Sequence, residues 1–161
     1  MVPVSPDILS ALNAGIQSEV ASYVFYLEAA KRKDTVDFKD VLHKLAYEEK
    51  EHFHILERQY DSLVRSEMWI STADIMKKEG LPEIPEAMSN QHKGLINQVA
   101  EAADIQAIFD IAYKLEVDAH ELFARAAETI VSDEGKKMFL HLSKFEEGHM
   151  RLIDEMRKKY R

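Results

Sequence analysis

One set of three residues occurs twice in this chain, and both copies keep the same spacing. The first copy is Glu19, Glu49 and His52, and the second is Glu116, Glu146 and His149. Each residue is separated from its counterpart by 97 positions (19 to 116, 49 to 146 and 52 to 149). Two copies of one helical hairpin would bring four carboxylates and two imidazoles to a common place. Four-helix bundles bind two transition-metal ions with that ligand set, so the repeat predicts a helical bundle around a two-metal site.

Helix two contains two Glu-x-x-His pairs, and helical phase separates them. Glu49 and His52 form one pair, and Glu51 and His54 form the other, two positions along. At about 100° per residue, the apolar residues that share the face of Glu49 are Phe38, Leu42, Leu45, Phe53, Leu56, Tyr60 and Leu63. The face of Glu51 carries Asp40, Lys44 and Arg58, a composition typical of a solvated surface. We therefore expect Glu49 and His52 to point into the core, and Glu51 and His54 to point mostly to water.

Glu19 and Glu116 also interrupt apolar helical faces. An ionised glutamate in such a position is destabilising by several kcal/mol unless another group compensates its charge. For Glu19 alone, a buried salt bridge explains the pattern as well as a metal does. Four inward glutamates at matching phase, with no inward Lys or Arg to pair them, favour metal ligation.

The two halves of the chain resemble each other beyond the six candidate ligands. At the same offset Val20 matches Val117, and Thr35 and Ser132 both stand before acidic residues at a predicted helix start. Serine and threonine are favoured N-caps. An internal duplication of one hairpin is the simplest explanation.

Four long amphipathic segments predict an all-α fold, with helices at about 6–33, 36–65, 104–131 and 133–160. Short turns join the first two helices and the last two, so each pair is an antiparallel hairpin. Residues 67–103, with short helical pieces near 73–79 and 95–100, form the long crossover between helices two and three that ferritin-like bundles require. Trp69, in this crossover, is predicted to be a packing residue.

The length and composition of the chain fit a single domain, residues 1–161. A domain of this size buries about 70% of its unfolded surface, and 46% hydrophobic residues with few Gly and Pro indicate a helical globular protein. The net charge of −8 argues against nucleic acid or an anionic membrane as a partner. No apolar run is long enough to span a membrane.

The sequence contains no cysteine, which excludes disulfides, thiolate nucleophiles and cysteine-ligated iron. The N-terminal segment MVPVSPDIL lacks the basic start and apolar centre of a secretory signal. We therefore expect a cytoplasmic protein.

The motifs resemble the rubrerythrin branch of the ferritin-like superfamily. The resemblance covers essentially the whole chain and is carried by Glu19, the segment EEKEH at 48–52, Glu116 and the segment FEEGH at 145–149. It implies a ferritin-like antiparallel four-helix bundle that holds two iron ions per chain. Manganese and zinc are the alternative metals.

The resemblance also implies a role for each ligand. Glu49 and Glu146 would bridge the two ions, Glu19 and Glu116 would be terminal ligands, and His52 and His149 would bind one ion each. His120 lies one helical turn after Glu116, and Tyr23 lies one helical turn after Glu19. Tyr23 and His120 occupy corresponding positions of the two halves, and either side chain could hydrogen-bond a ligand carboxylate. An ordinary half-buried histidine is the alternative for His120.

The activity implied by the resemblance is reduction of hydrogen peroxide, or oxygen, at a di-iron site. Many rubrerythrins receive electrons from a cysteine-ligated iron domain, which this chain lacks, so we expect an external electron-donor protein and a homodimer. Many also carry a further Glu three residues after the third-helix ligand. Here that position is Ala119, which predicts slower peroxide turnover. A ferroxidase or iron-storage protein and a structural dizinc protein are the competing hypotheses.

Overall fold

All regular secondary structure in the described residues is helical. The structure, a computed structural model, describes residues 6–77, 81 and 83–160. Its α-helices are α1 (Pro6–Ala30), α2 (Lys39–Ser66), α3 (Thr72–Met76), α4 (Glu86–Asn90), α5 (Lys93–Glu101), α6 (Ile105–Thr129) and α7 (Asp133–Lys159). A 3₁₀ helix (Lys33–Phe38) joins α1 to α2. The predicted all-α fold is confirmed.

The long helices form two antiparallel hairpins, α1 with α2 and α6 with α7, which also meet through α1 and α6. The crossover lies against the first hairpin, with α4 and α5 on α1 and α3 on α2. This is the predicted ferritin-like four-helix bundle with its long crossover. Among the described helices, none combines the length and the apolar character needed to cross a membrane.

Two of the predicted helix starts coincide with side-chain caps. Asp104 accepts a hydrogen bond from the backbone N–H of Ala107 at 2.9 Å, and Ser132 accepts one from Gly135 at 3.2 Å. The Thr35 cap is wrong. Thr35 lies inside the 3₁₀ helix, and its buried hydroxyl donates to the carbonyl of Ala29 at 2.5 Å. It therefore fastens the turn to the end of α1, and α2 begins later.

Two of the three short crossover helices were expected. Helices α3 and α5 lie where the sequence placed helical pieces, whereas α4 was not predicted. The predicted end of the first piece, near residue 79, lies outside the described residues. Trp69 packs against the hydrophobic core, as expected, close to Gly135 at the start of α7.

The crossover covers a face of α2 that the sequence pattern assigned to solvent. His54 is 7% exposed and Glu51 is half-buried, so the prediction of an exposed His54 is wrong. Helix α3 contacts α2, and Lys50 donates to Glu83 at 3.0 Å across the same interface. The apolar pattern of α2 alone does not show that a segment distant in sequence will pack against this helix.

The buried face of α2 also turns near its C-terminus. Gln59 is fully buried, and its side-chain amide donates to the carbonyl of Ile70 and accepts from the N–H of Ile70. Tyr60, predicted to be in the core, is 36% exposed. Gln59 is thus suited to burial against the start of the crossover, because its amide pairs with both backbone groups of Ile70.

The core consists of two apolar clusters. On α2, α6 and α7 the residues of one cluster precede the site glutamate and those of the other follow it. The predicted ligands therefore form a polar layer between two apolar ones.

Candidate metal centre

The structure brings all six sequence-predicted ligands together at one level of the bundle. Helix α1 supplies Glu19, α2 supplies Glu49 and His52, α6 supplies Glu116, and α7 supplies Glu146 and His149. None is more than 4% exposed. They form two groups, Glu19, Glu49, His52 and Glu146, and Glu49, Glu116, Glu146 and His149, and within each group the four candidate ligand atoms lie within 4.8 Å of one another. Glu49 and Glu146 belong to both groups.

Both imidazoles present Nδ1 to the carboxylates. His149 Nδ1 lies 2.8 Å from Glu49 Oε1, 3.2 Å from Glu146 Oε2 and 3.3 Å from Glu116 Oε1, yet makes no hydrogen bond to them. His52 Nδ1 hydrogen-bonds Glu146 Oε1 at 3.0 Å. Short approaches without hydrogen-bond geometry are those of ligand atoms that converge on a common point.

Several buried carboxylate oxygens have no hydrogen-bond partner. They are both oxygens of Glu19 and one oxygen each of Glu49, Glu116 and Glu146. Among the described residues the ion-pair partners of these carboxylates are the two imidazoles. Each unpaired buried acceptor is destabilising by about 1–3 kcal/mol, which a cation would offset. Carboxylate and imidazole donors suit iron or manganese, so the residues fit a metal site.

Without a cation, the carboxylates cannot all remain ionised. Burial, followed by the charge of Glu146, raises the pKa of both Glu19 and Glu49 well above the usual range. Burial and the charge of Glu49 do the same to the pKa of Glu116. Burial also acts to raise the pKa of Glu146, but its contacts with Glu116 and the imidazoles outweigh burial and lower it. Protons therefore occupy the places where cations would otherwise balance charge.

Sequence reasoning missed Glu48, which holds the far side of one imidazole. His149 Nε2 donates to Glu48 Oε2 at 2.7 Å, and this contact lowers the pKa of Glu48. Burial acts against protonation of His149, but its carboxylate neighbours raise its pKa. The pKa of His52 is raised in the same way through Glu146. Glu48 could have been noticed because it stands directly before a predicted ligand.

Phe145 and a small pocket lie beside the imidazoles. The Phe145 ring packs edge-on against His52, with centroids 4.5 Å apart, and against His149 at 5.2 Å. A pocket of about 240 Å³ borders His52 and Phe145, and Glu51, Met76 and His141 also line it. This pocket lies next to an otherwise buried site.

The tyrosine that contacts the site is Tyr26 rather than Tyr23. Tyr26 is fully buried, and its hydroxyl donates to Glu116 Oε1 at 2.5 Å. Burial, followed by the charge of Glu116, raises the pKa of Tyr26. Tyr23, the sequence candidate, is half-buried and packs against both apolar clusters.

His120 joins two helices instead of touching a site carboxylate. Its Nδ1 lies 2.8 Å from the carbonyl oxygen of Ser143 and 3.0 Å from the Ser143 hydroxyl, which donates to the His120 carbonyl. These contacts fasten α6 to α7 beside the site. Ala119, one position earlier, is buried in an apolar cluster.

Comparison with known proteins gives one result. The family model of rubrerythrin matches residues 10–157, a range that includes all six predicted ligands. No curated protein and no solved structure matches the chain.

Proposed function

Because this chain belongs to the rubrerythrin family, we propose that it is a non-haem di-iron oxidoreductase. Its substrate would be hydrogen peroxide or oxygen, and its electrons would come from an external donor protein. The observation that carries the proposal is the buried layer of four carboxylates and two imidazoles whose oxygens lack hydrogen-bond partners. A layer of this composition is balanced by two divalent cations, since four carboxylates carry four negative charges.

The two overlapping groups support a role for each residue. Glu49 and Glu146, common to both groups, would bridge the ions. Glu19 and His52 would complete one position, and Glu116 and His149 the other. This arrangement supports a stoichiometry of two ions per chain.

Held by these six residues, two ferrous ions would supply the two electrons that, with two protons, reduce hydrogen peroxide to two molecules of water. The apolar clusters on both sides of the site keep bulk water away from the ligands. The pocket beside His52 is wide enough for peroxide or oxygen and too small for a protein donor to enter. Electrons would therefore arrive through the protein.

The test compares two oxidants on the anaerobic, iron(II)-loaded protein by stopped-flow absorption. Peroxide should oxidise the iron pair faster than oxygen, because one peroxide takes up the electrons of both ions. The double variant Glu49→Ala/Glu146→Ala should bind no iron, because both bridges are removed. His43→Ala is the matched control, since His43 is an exposed histidine of α2.

Three results would contradict the proposal. The first is two iron equivalents in the double variant. The second is faster oxidation by oxygen, with iron accumulating well beyond two per chain, which would favour iron storage. The third concerns size: we expect a homodimer, and a shell of many subunits in size-exclusion chromatography would also favour storage.

A further inference from the structure

The two candidate metal positions have the same kinds of ligand but different surroundings. Each position is made of three glutamates and one histidine, and two of the glutamates are shared. Any difference in affinity must therefore come from the residues that contact the ligands. Two such residues, Glu48 and Tyr26, belong to the first hairpin. The corresponding positions of the second hairpin carry different residues.

The first difference concerns the histidines. Glu48, on α2, accepts a hydrogen bond from Nε2 of His149 at 2.7 Å. The position 97 residues later is Phe145, which lies edge-on against His52 with centroids 4.5 Å apart. A phenyl ring cannot accept the hydrogen bond that a carboxylate accepts. The Glu48 position thus provides His149 with a charged acceptor, whereas the corresponding Phe145 provides His52 with a ring contact alone.

The second difference concerns the terminal glutamates. Tyr26, on α1, donates its hydroxyl proton to Glu116 at 2.5 Å. The position 97 residues later is Phe123, which packs against Gly15, one helical turn before Glu19. Both oxygens of Glu19 are buried without a hydrogen-bond partner. The hydroxyl that orients Glu116 is therefore missing from the counterpart beside Glu19.

Both hydrogen bonds are made to ligands of the same metal position, the one that contains Glu116 and His149. We propose that the two metal positions are unequal, and that the Glu116–His149 position fills first and empties last because Glu48 and Tyr26 pre-organise its ligands. A carboxylate on the outer nitrogen of a ligating histidine fixes its tautomer and ring orientation and makes it more basic, and loss of such a partner lowers metal affinity about 10- to 100-fold. The pocket that borders His52 also gives the other position a route for exchange.

This inference rests on the proposed function, because it requires two metals, and Glu48 acts in it as a positioning residue. The experiment is titration of the metal-free protein with cobalt(II), followed by visible absorption, in which ligand geometry determines the spectrum. The wild type should bind two equivalents in two steps whose affinities differ by at least about 10-fold. His149→Ala should remove the tighter step, and His52→Ala the weaker one.

Exchange of the paired residues tests the cause. Glu48→Ala should weaken the tighter step about 10- to 100-fold, and Glu48→Gln, which keeps an acceptor oxygen, should restore part of the affinity. Phe145→Glu should strengthen the weaker step and bring the two affinities together. Glu147→Ala is the control, because Glu147 is a half-buried neighbour of Glu146 that is paired with Arg151.

The outcomes separate this inference from the proposed function. No cobalt bound by the wild type would overturn both. Two equivalents bound in one indistinguishable step, or two steps that Glu48→Ala leaves unchanged while circular dichroism shows a folded variant, would overturn the inference alone.

Discussion

The Tyr26 hydroxyl links α1 to a carboxylate of the second hairpin by a hydrogen bond. Its donation to Glu116 satisfies one oxygen of a buried glutamate whose other oxygen has no hydrogen-bond partner. A buried hydroxyl in this position contributes more to the free energy of unfolding than a surface hydroxyl, because water cannot replace its hydrogen bond.

Tyr26→Phe should destabilise the metal-free protein by about 1–3 kcal/mol, the effect of leaving a buried acceptor unpaired. Tyr23→Phe is the control and should change the free energy of unfolding by less than about 0.5 kcal/mol, because Tyr23 is half-buried. Urea denaturation followed by circular dichroism measures both. Equal losses in the two variants would show that the hydrogen bond to Glu116 does not stabilise the fold.

Single residues also show what a sequence pattern can determine. Phase within α2 placed Glu49 and His52 correctly, because the direction of a side chain relative to its own helix follows from 3.6 residues per turn. Phase could not choose Tyr26 over Tyr23 or find Glu48. Those contacts depend on how two helices are rotated against each other.

Among the elements, α7 begins with a close contact. A Cβ atom added to Gly135 would lie 2.5 Å from Ile130 Cδ1 and 2.8 Å from the Trp69 ring. A Cβ at Gly148, in the middle of the same helix, would meet nothing within 4 Å. A side chain at position 135 would therefore clash with its neighbours, whereas position 148 has room for one.

Gly135→Ala should destabilise the protein by about 1–3 kcal/mol through overpacking, whereas Gly148→Ala should stabilise it by up to about 1 kcal/mol through helix propensity. Thermal denaturation of the two variants beside the wild type measures both effects. Stabilisation by Gly135→Ala would mean that Trp69 moves away without loss of packing energy.

Helix ends were predictable where the cap is local. Ser132 and Asp104 cap the helices that follow them, and a cap needs only a side chain and a backbone N–H three residues on. Thr35 has the same sequence signal but makes a contact with Ala29 of the preceding helix. Helix α4, with five residues, is too short for a periodic pattern to emerge.

The whole molecule should respond to pH through its central layer. Glu19, Glu49 and Glu116 have raised pKa values in the metal-free fold, so the folded chain holds protons that the unfolded chain releases. Their contribution to stability is complete below the ordinary glutamate pKa of about 4.3 and is lost as pH rises through the folded values. The raised pKa values of both imidazoles act in the same direction.

We therefore expect the melting temperature of chelator-treated protein to fall as the pH rises from about 5 to 9. The melting temperature of metal-loaded protein should fall less, because bound metal replaces the protons and metal binding strengthens as pH rises. At about 1,000 times the dissociation constant, metal adds about 4 kcal/mol. Differential scanning calorimetry of both forms across this range measures the gap.

The double variant Glu19→Gln/Glu116→Gln serves as the control for the pH experiment. It should flatten the pH dependence of the metal-free protein, since two of the responsible groups no longer titrate. A metal-free melting temperature that stays constant or rises over the range would contradict the protonated state of the layer.

At this scale the repeat predicted the architecture well. An offset shared by three residue pairs required two similar hairpins, and the structure has them. The covering of His54 could not be predicted, because the crossover has no counterpart in the repeat. A unique segment leaves no internal pattern that would show where it lies.

Glu146 belongs to both four-residue groups, and it lies on α7, which follows the other three long helices along the described chain. A growing chain on the ribosome therefore completes neither metal position until α7 has left the exit tunnel. The first hairpin emerges with Glu19 and Glu49, and the site is complete only after the second hairpin supplies Glu116 and Glu146. Loading of both positions with metal would then follow the emergence of all four long helices, rather than accompany the synthesis of the first hairpin.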